Sequence, residues 1–203
     1  MPVTVQYSPA QRLARTRVAL DVRVGGDPAA WAERCRAAVR AGAGLLVVGG
    51  TTDPGTWLTL GRARAGTALV GVAEPVPAGT LADVVVVTKR SHAVRWPGTL
   101  AGCTVRGCPD VAAAAAAGCT FVVADHHLAA EVAGCAPEGL VWFVSGCTTL
   151  ADVRTAAAAG ARRVWLPAGA DSLVADYAAY LRGVWRDDPA FGGLAFARQG
   201  ALT

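Results

Sequence analysis

The chain has 203 residues, of which 53% are hydrophobic and 17% charged, so it can bury one sizeable core and is not a disordered chain. Its formal net charge of +4 comes from scattered arginines, which argues against a nucleic-acid partner because tracking phosphates requires clustered charge. No apolar run predicts a membrane span or a signal peptide, and we expect a cytoplasmic protein without a membrane partner.

Short apolar runs alternate with Ala-rich helical stretches along the whole chain. The first strand is predicted at residues 17–24, and Asp27 followed by Pro28 predicts the start of a helix that runs to residue 43. Seven more strands are predicted at residues 44–50, 67–73, 83–88, 103–107, 119–124, 140–145 and 163–166. Helices are predicted at residues 53–64, 109–118, 128–134, 149–161 and 171–186.

This alternation predicts a small single-domain (β/α)8 TIM barrel over residues 1–203, with an N-terminal extension at 1–15 and an irregular tail at 189–203. The alternative is an open, doubly wound parallel sheet. Such a sheet normally carries a Gly-rich phosphate loop after its first strand, and the segment from Val24 to Asp27 lacks that pattern. We therefore favour the barrel.

Six cysteines are spread along the chain without a C-x-x-C pair, so they do not predict a zinc site. We expect them to be reduced and mostly buried as small apolar side chains. Cys108 and Cys147 fall near predicted helix N-termini, where the helix dipole favours a thiolate. We interpret both as packed turn residues rather than catalytic thiols.

Two segments, residues 101–124 and 141–166, resemble the thiamin phosphate synthase and thiazole tautomerase family in their order of strand, Gly-containing turn, Ala-rich helix and strand. The resemblance implies a phosphate bound by backbone amides after the last two strands. The matching positions are Ser145, Gly146 and Cys147 after the seventh strand, and Ala168, Gly169 and Ala170 after the eighth.

The synthase branch of this family also uses charged residues after strands two to four and a lysine after strand six. Here the second strand ends in uncharged residues, the fourth is followed by Lys89, and the lysine after strand six is missing. The tautomerase branch needs no metal and places a histidine just after strand six, where His126 is the matching residue. The resemblance therefore implies a metal-free isomerase or tautomerase without a cofactor, with His126 as acid/base and Asp125 orienting it.

In a barrel, residues at the carboxyl ends of the strands face the active site. This rule selects Asp21, Thr51, Asp53, Glu74, Lys89, Arg106, Cys108, Asp125, His126, His127 and Ser145. Arg106 suits a clamp for a phosphate or carboxylate. Lys89, the sole lysine, suits Schiff-base formation, anion binding or simple solvation. His92 is interpreted as a loop residue without a role.

A metal site built from Asp125, His126, His127 and Glu131 is not expected, because adjacent histidines should point in different directions. The sequence thus predicts a divergent barrel that binds a small phosphorylated or anionic molecule and catalyses proton transfer. The alternative is a degenerate barrel that serves as a ligand-binding or protein-interaction subunit, and a homo-oligomer is compatible with both. An enzyme should gather His126, Arg106 and Lys89 around one cavity at the mouth of the barrel.

Overall fold

The computed structural model describes residues 7–49, 55, 68–76 and 82–191. Its eight parallel strands form a closed barrel in chain order, with the first strand paired to the eighth. The strands are β1 (Val18–Val22), β2 (Ala43–Gly49), β3 (Leu69–Ala73), β4 (Val84–Val86), β5 (Leu100–Val105), β6 (Phe121–Asp125), β7 (Val141–Ser145) and β8 (Val164–Leu166). The predicted TIM barrel is confirmed, and the open sheet is excluded.

Helices and short 3₁₀ segments connect the strands. The helices are α1 (Pro9–Ala14), α2 (Pro28–Ala41), α3 (Cys108–Ala116), α4 (Ala129–Cys135), α5 (Leu150–Ala158) and α6 (Val174–Asp187). The 3₁₀ segments are Arg90–Arg95, His126–Leu128 and Asp171–Leu173. Within the described ranges, none of the helices has the length and apolar character needed to cross a membrane.

Helix α2 begins where its sequence predicts. The side chain of Asp27 accepts a hydrogen bond from the amide of Ala30 at 2.9 Å, and Pro28 occupies the first helical position, where no amide donor is needed. The helix ends at Gly42, whose φ of 119° is one that side-chain-bearing residues rarely adopt. The apolar face of α2, including Trp31 and Cys35, packs on the outside of the barrel.

The interior of the barrel is filled by large side chains. Phe121, Phe143 and Trp165 point inward, and the ring centroids of Phe121 and Trp165 lie 6.0 Å apart in a stacked arrangement. Gly102 of β5 makes room for this packing, since a Cβ there would lie 2.5 Å from atoms of the Phe121 ring. Below these rings, Leu13 of α1 is only 1% exposed and belongs to the same cluster. The barrel interior is therefore a packed core rather than a channel.

The observed strands differ from the predicted ones by up to three residues at their ends, as the fourth and fifth strands illustrate. The fourth strand spans three residues, Val84–Val86, rather than residues 83–88, and a short connection leads from it to the 3₁₀ segment at Arg90. The fifth begins at Leu100, three residues before its predicted start. Ala101 and Gly102, near its start, have low strand propensity and gave no signal in the sequence. The predicted helix at 53–64, with Thr51 and Asp53, lies outside the described residues except for Gly55, and so does the tail beyond residue 191.

The expectation that all cysteines are reduced is wrong for one pair. Cys108 at the start of α3 and Cys135 at the end of α4 form a disulfide with 5.8 Å between their Cα atoms. Four cysteines remain as buried thiols, namely Cys35, Cys103, Cys119 and Cys147. The disulfide joins two neighbouring outer helices and leaves the barrel strands unlinked.

Candidate functional site at the ends of β6 and β7

Asp125, His126 and His127 form a cluster at the carboxyl end of β6. Asp125 ends the strand and caps the following 3₁₀ segment, its Oδ1 accepting a hydrogen bond from the amide of His127 at 2.9 Å. His126 Nδ1 lies 3.4 Å from the same Oδ1, slightly beyond hydrogen-bond distance. The His126 side chain is 14% exposed, while that of Asp125 is 52% exposed. The imidazole is thus held against the protein beside a carboxylate that faces solvent.

The Nδ1 atom of His126 is buried and has no hydrogen-bond partner among the described residues. An imidazole nitrogen in this position gains most from Asp125 when it carries the proton. In that tautomer, Nε2 is the ring nitrogen that can accept a proton.

Gly146 forms the floor beside this imidazole. Its φ of 80° lies in the left-handed region, and a Cβ at this position would lie 3.1 Å from Asp125 Oδ2 and from His126 Nδ1. Ser145, which is paired in register with Asp125, donates its hydroxyl hydrogen bond to the carbonyl of Ala124 at 3.2 Å. A side chain at position 146 would therefore be strained by this φ and would crowd the side chains of Asp125 and His126.

The same cluster has the composition of a metal site. One ligand atom from each of Asp125, His126 and His127 lies within 4.8 Å of the others. The two imidazole rings are 3.9 Å apart between centroids and tilted by 39°, which corrects the expectation that they point in different directions. Glu131 does not join them, because its Oε1 accepts a hydrogen bond from the amide of Cys108 at 2.8 Å. A chelator therefore belongs in any test of this cluster.

The backbone amides at the start of α5 already donate hydrogen bonds to a carboxylate of the chain itself. Oδ2 of Asp152 accepts hydrogen bonds from the amides of Thr148 and Thr149 at 2.9 and 2.8 Å, and Thr149 caps the helix in return. These amide bonds lower the pKa of Asp152 to about 2, so the carboxylate stays charged at neutral pH. The helix N-terminus after β7 is thus occupied by a side chain of its own. The pattern T-x-x-D is visible in the sequence as a capping box.

The other residues expected to bind phosphate are divided between two places. Cys147 is buried, and burial raises the pKa of its thiol to about 12, so it packs beneath the cluster as a neutral group. Gly169 is exposed after β8 and lines a separate cavity. The amide of Ala170 donates to the carbonyl of Pro167 at 3.2 Å. Gly146 therefore adjoins the histidines, and Gly169 lies beside a different part of the rim.

Lys89 and Arg106 are both exposed. Lys89 precedes the 3₁₀ segment, and its carbonyl accepts a hydrogen bond from the amide of His92 at 2.8 Å. The amide of Arg106 donates to Asp110, whose other oxygen is paired with Arg90 at 2.8 Å. No contact joins either side chain to the Asp125–His127 cluster in the part of the chain that the structure describes.

His92, which the sequence placed in a loop without a role, has a carboxylate partner. Its Nδ1 lies 2.9 Å from Oε2 of Glu74, and the same oxygen accepts hydrogen bonds from the amide and the hydroxyl of Thr88 at 2.9 and 2.8 Å. Burial acts to raise the pKa of Glu74, but the hydrogen bonds from His92 and Thr88 outweigh it and the pKa is lowered. This pair holds the 3₁₀ segment against the ends of β3 and β4.

Asp21 is a second carboxylate that the sequence selected only by its position. It lies on the inward face of β1, and Oδ1 accepts a hydrogen bond from Nε1 of Trp165 at 2.9 Å. Burial raises the pKa of Asp21, with the indole hydrogen bond acting in the opposite direction. Asp21 therefore closes the upper end of the packed interior.

Two cavities lie away from the histidine cluster. One, of about 250 Å³, is lined by β1, α2, Gly169 and Asp171, and the other, of about 370 Å³, lies at the opposite end near Arg163 and Phe191. Neither lining includes His126, Arg106 or Lys89. These two cavities therefore differ from the one predicted to gather the three side chains, which stays a prediction.

Comparison with known proteins places the chain among TIM barrels. No family model matches it, and no curated protein does. Among solved structures, it is similar to thiamine phosphate pyrophosphorylase from Pyrococcus furiosus, with a TM-score of 0.68 and 14% identity over 85% of this chain and 96% of that one. A structure described as native KDPGal gives a TM-score of 0.62 and 14% identity over 84% and 94% of the two chains.

Orotidine 5'-phosphate decarboxylase from Pyrococcus horikoshii is also similar, with a TM-score of 0.61 and 11% identity over 84% of this chain and all of that one. Identities this low establish the shared fold and no common reaction. The chain is a small, single-barrel member of the TIM-barrel class, and its function has to be argued from its own residues.

Proposed function

We propose that this protein binds a small phosphorylated or anionic molecule at the carboxyl end of its barrel and moves a proton on it with His126, as an isomerase or tautomerase. The observation that carries the proposal is the Asp125–His126 pair. It combines a buried Nδ1 without a hydrogen-bond partner among the described residues, a carboxylate oxygen 3.4 Å away and a glycine whose missing side chain leaves room beside the imidazole.

The proposed reaction needs one proton acceptor and no external reagent. Nε2 of His126 takes a proton from a carbon of the ligand, and the imidazolium returns it to another atom of the same molecule, so that bonding electrons shift within the ligand and the atoms balance. Asp125 favours the proton on Nδ1 and stabilises the imidazolium that forms between the two steps. Hydrogen bonds between catalytic residues are often long before a ligand binds and shorten when it does. The 3.4 Å between Nδ1 of His126 and Oδ1 of Asp125 fits this behaviour.

An anionic ligand is supported by the surroundings of the cluster rather than by a preformed phosphate cradle. The amides of Thr148 and Thr149 are bound to Asp152, so in this proposal the ligand's anionic group contacts Gly146 and an imidazolium instead. The likeness to a thiamine phosphate pyrophosphorylase and to the tautomerase branch of that family makes thiazole and pyrimidine phosphates the first probes to use.

The test combines thermal stability with proton exchange. A probe that binds only the folded protein raises the melting temperature, and a probe that is a substrate exchanges its carbon-bound proton with D₂O, which ¹H NMR follows. His126→Gln should slow the exchange by about 10²- to 10⁴-fold, the usual contribution of a positioned acid/base. His127→Gln is the matched control, since it changes the neighbouring ring and leaves the Asp125–His126 contact in place.

Two further controls separate proton transfer from other roles of the same residues. Asp125→Asn keeps a cap acceptor for the amide of His127 but removes the charge next to Nδ1, and it should reduce exchange less than the loss of His126. Added chelator should change nothing if the histidines act as acid/base. Exchange abolished by the chelator would reassign the cluster to metal binding.

A second candidate is a barrel that binds a ligand without catalysis. It is favoured by one observation, namely that the two cavities described above are lined by other residues than His126, Arg106 and Lys89. For this candidate, a probe should raise the melting temperature of the native protein and of His126→Gln equally. Neither protein should catalyse proton exchange.

A further inference from the structure

The 250 Å³ cavity between β1 and α2 lies on the helix side of the barrel wall, away from the histidine cluster. Its floor is apolar and consists of Leu20, Val22, Cys35 and Ala38. Leu20 and Cys35 are almost fully buried, and burial raises the pKa of the Cys35 thiol to about 11, so this floor is uncharged at neutral pH. The volume equals about eight water molecules at ~30 Å³ each, which suits a small metabolite.

Charged groups are confined to the entrance of this cavity. Arg23 and Arg34 line it with their positive charges, and Asp171 is the one carboxylate in the lining, so the entrance has an excess of one positive charge. The loop after β1 is held against α2, because Nε1 of Trp31 donates to the carbonyl of Arg23 at 3.1 Å and the guanidinium of Arg34 donates to that of Gly25 at 3.4 Å.

Two glycines at this entrance leave the backbone open to contact with a ligand. Gly25 and Gly169 both line the cavity, and neither has another atom within 4 Å of the position where a Cβ would stand. Open backbone of this kind next to two guanidinium groups is suited to an anion, since guanidinium groups bind carboxylate and phosphate oxygens with paired hydrogen bonds.

We infer that this cavity is a second ligand site, which binds a small organic anion with its carboxylate or phosphate between Arg23 and Arg34 and its short apolar body against Leu20 and Ala38. The site is separate from the Asp125–His127 cluster and does not depend on the proposed reaction. It lies at the seam where β8 closes on β1, so a ligand there contacts both the first and the last unit of the barrel.

The experiment is a calorimetric titration of the full-length protein with n-butyl phosphate and, in parallel, inorganic phosphate. The apolar floor predicts that n-butyl phosphate binds several-fold more tightly than inorganic phosphate. Arg23→Gln and Arg34→Gln should each weaken binding, and the double variant should raise Kd at least about tenfold. Asp171→Asn should have the opposite effect and lower Kd, because it removes the opposing charge.

Two control variants separate this site from alternatives. Arg95→Gln, at an exposed arginine outside the cavity, removes the same charge from the protein and should leave Kd unchanged. His126→Gln should also leave Kd unchanged, and a loss of binding there would place the anion at the histidine cluster instead. The inference is overturned by equal affinity for the two probes, by equal weakening in Arg34→Gln and Arg95→Gln, or by the absence of binding.

Discussion

The indole of Trp165 donates a hydrogen bond from Nε1 to Oδ1 of Asp21 across the inside of the barrel, with 2.9 Å between the two atoms. The two residues are 144 positions apart in the chain and belong to β8 and β1, the strands that close the barrel. This bond lies beside the apolar cluster that fills the barrel, and it joins the first strand to the last.

Two substitutions of Asp21 should separate the stabilisation by its hydrogen bond from the free energy lost by burying its charge. Asp21→Ala leaves the buried indole N–H without its acceptor and should reduce the free energy of unfolding by about 1–3 kcal/mol. Asp21→Asn retains an acceptor and removes a carboxylate whose charged form burial disfavours, so it should be at least as stable as the native protein at pH 7. Urea denaturation of the three proteins measures both effects.

The pH dependence of the same pair has a defined sign. Because burial raises the pKa of Asp21 in the folded protein, the folded state binds more protons than the unfolded state between the ordinary pKa and the raised one. The native protein should therefore lose stability, relative to Asp21→Asn, as pH rises through that window. A difference that stays constant with pH would show that Asp21 ionises as it does in the unfolded chain.

The stability that the Glu74–His92 pair contributes should change with pH in the opposite direction. The folded-state pKa of Glu74 lies below its unfolded value, so the pair stabilises the fold above the unfolded pKa, and this contribution is lost as pH falls through the folded pKa. Glu74→Gln should lower the free energy of unfolding at pH 7 by about 1–3 kcal/mol, the usual value of hydrogen bonds to a charged group. The exposed Glu138 offers a control, and Glu138→Gln should have no measurable effect.

Gly102 should be intolerant of any side chain. A Cβ there would meet the Phe121 ring at 2.5 Å, so Gly102→Ala should destabilise the protein by about 1–3 kcal/mol through overpacking. Gly183, in the interior of α6, has open space at the same position, and Gly183→Ala should stabilise the protein by about 0.5–1 kcal/mol. Thermal denaturation of the two variants compares them, and equal effects would contradict the packing described for the barrel interior.

Reduction of the Cys108–Cys135 disulfide should weaken the fold without changing its architecture. The bond closes a loop across a sequence separation of 27, and a disulfide of this size is worth about 2–4 kcal/mol. Denaturation with and without a reductant measures this difference. The double variant Cys108→Ser/Cys135→Ser should be insensitive to the reductant and have a stability close to that of the reduced native protein. A native protein that is equally insensitive would show that the bond does not form.

The sequence predicted the barrel because its strands are apolar on both faces and its helices carry local start signals. Asp27 followed by Pro28 identified the start of α2, and the start of α5 was predicted within a residue. The start of β5 was missed because Ala101 and Gly102 carry no strand signal, although Gly102 is required by the ring of Phe121, which lies on another strand.

The cluster at the end of β6 could be located from the sequence, but its chemistry could not. Asp125 and His126 are adjacent in the chain, whereas the approach of Gly146 depends on the register of β6 with β7. The Glu74–His92 pair joins residues 18 positions apart and requires Thr88 to hold the carboxylate. Likewise, the partner of Cys108 among the other cysteines cannot be deduced from their spacing alone.

The central claim is that His126 transfers protons to and from a bound anionic ligand. The most direct measurement is ¹H NMR of solvent deuterium exchange into thiazole and pyrimidine phosphates, with the native protein, His126→Gln and His127→Gln, each in the presence of a chelator. Exchange is expected with the native protein and with His127→Gln, and a loss of about 10²- to 10⁴-fold in His126→Gln. Exchange that is equally fast in His126→Gln, or absent from the native protein with every probe, would contradict it.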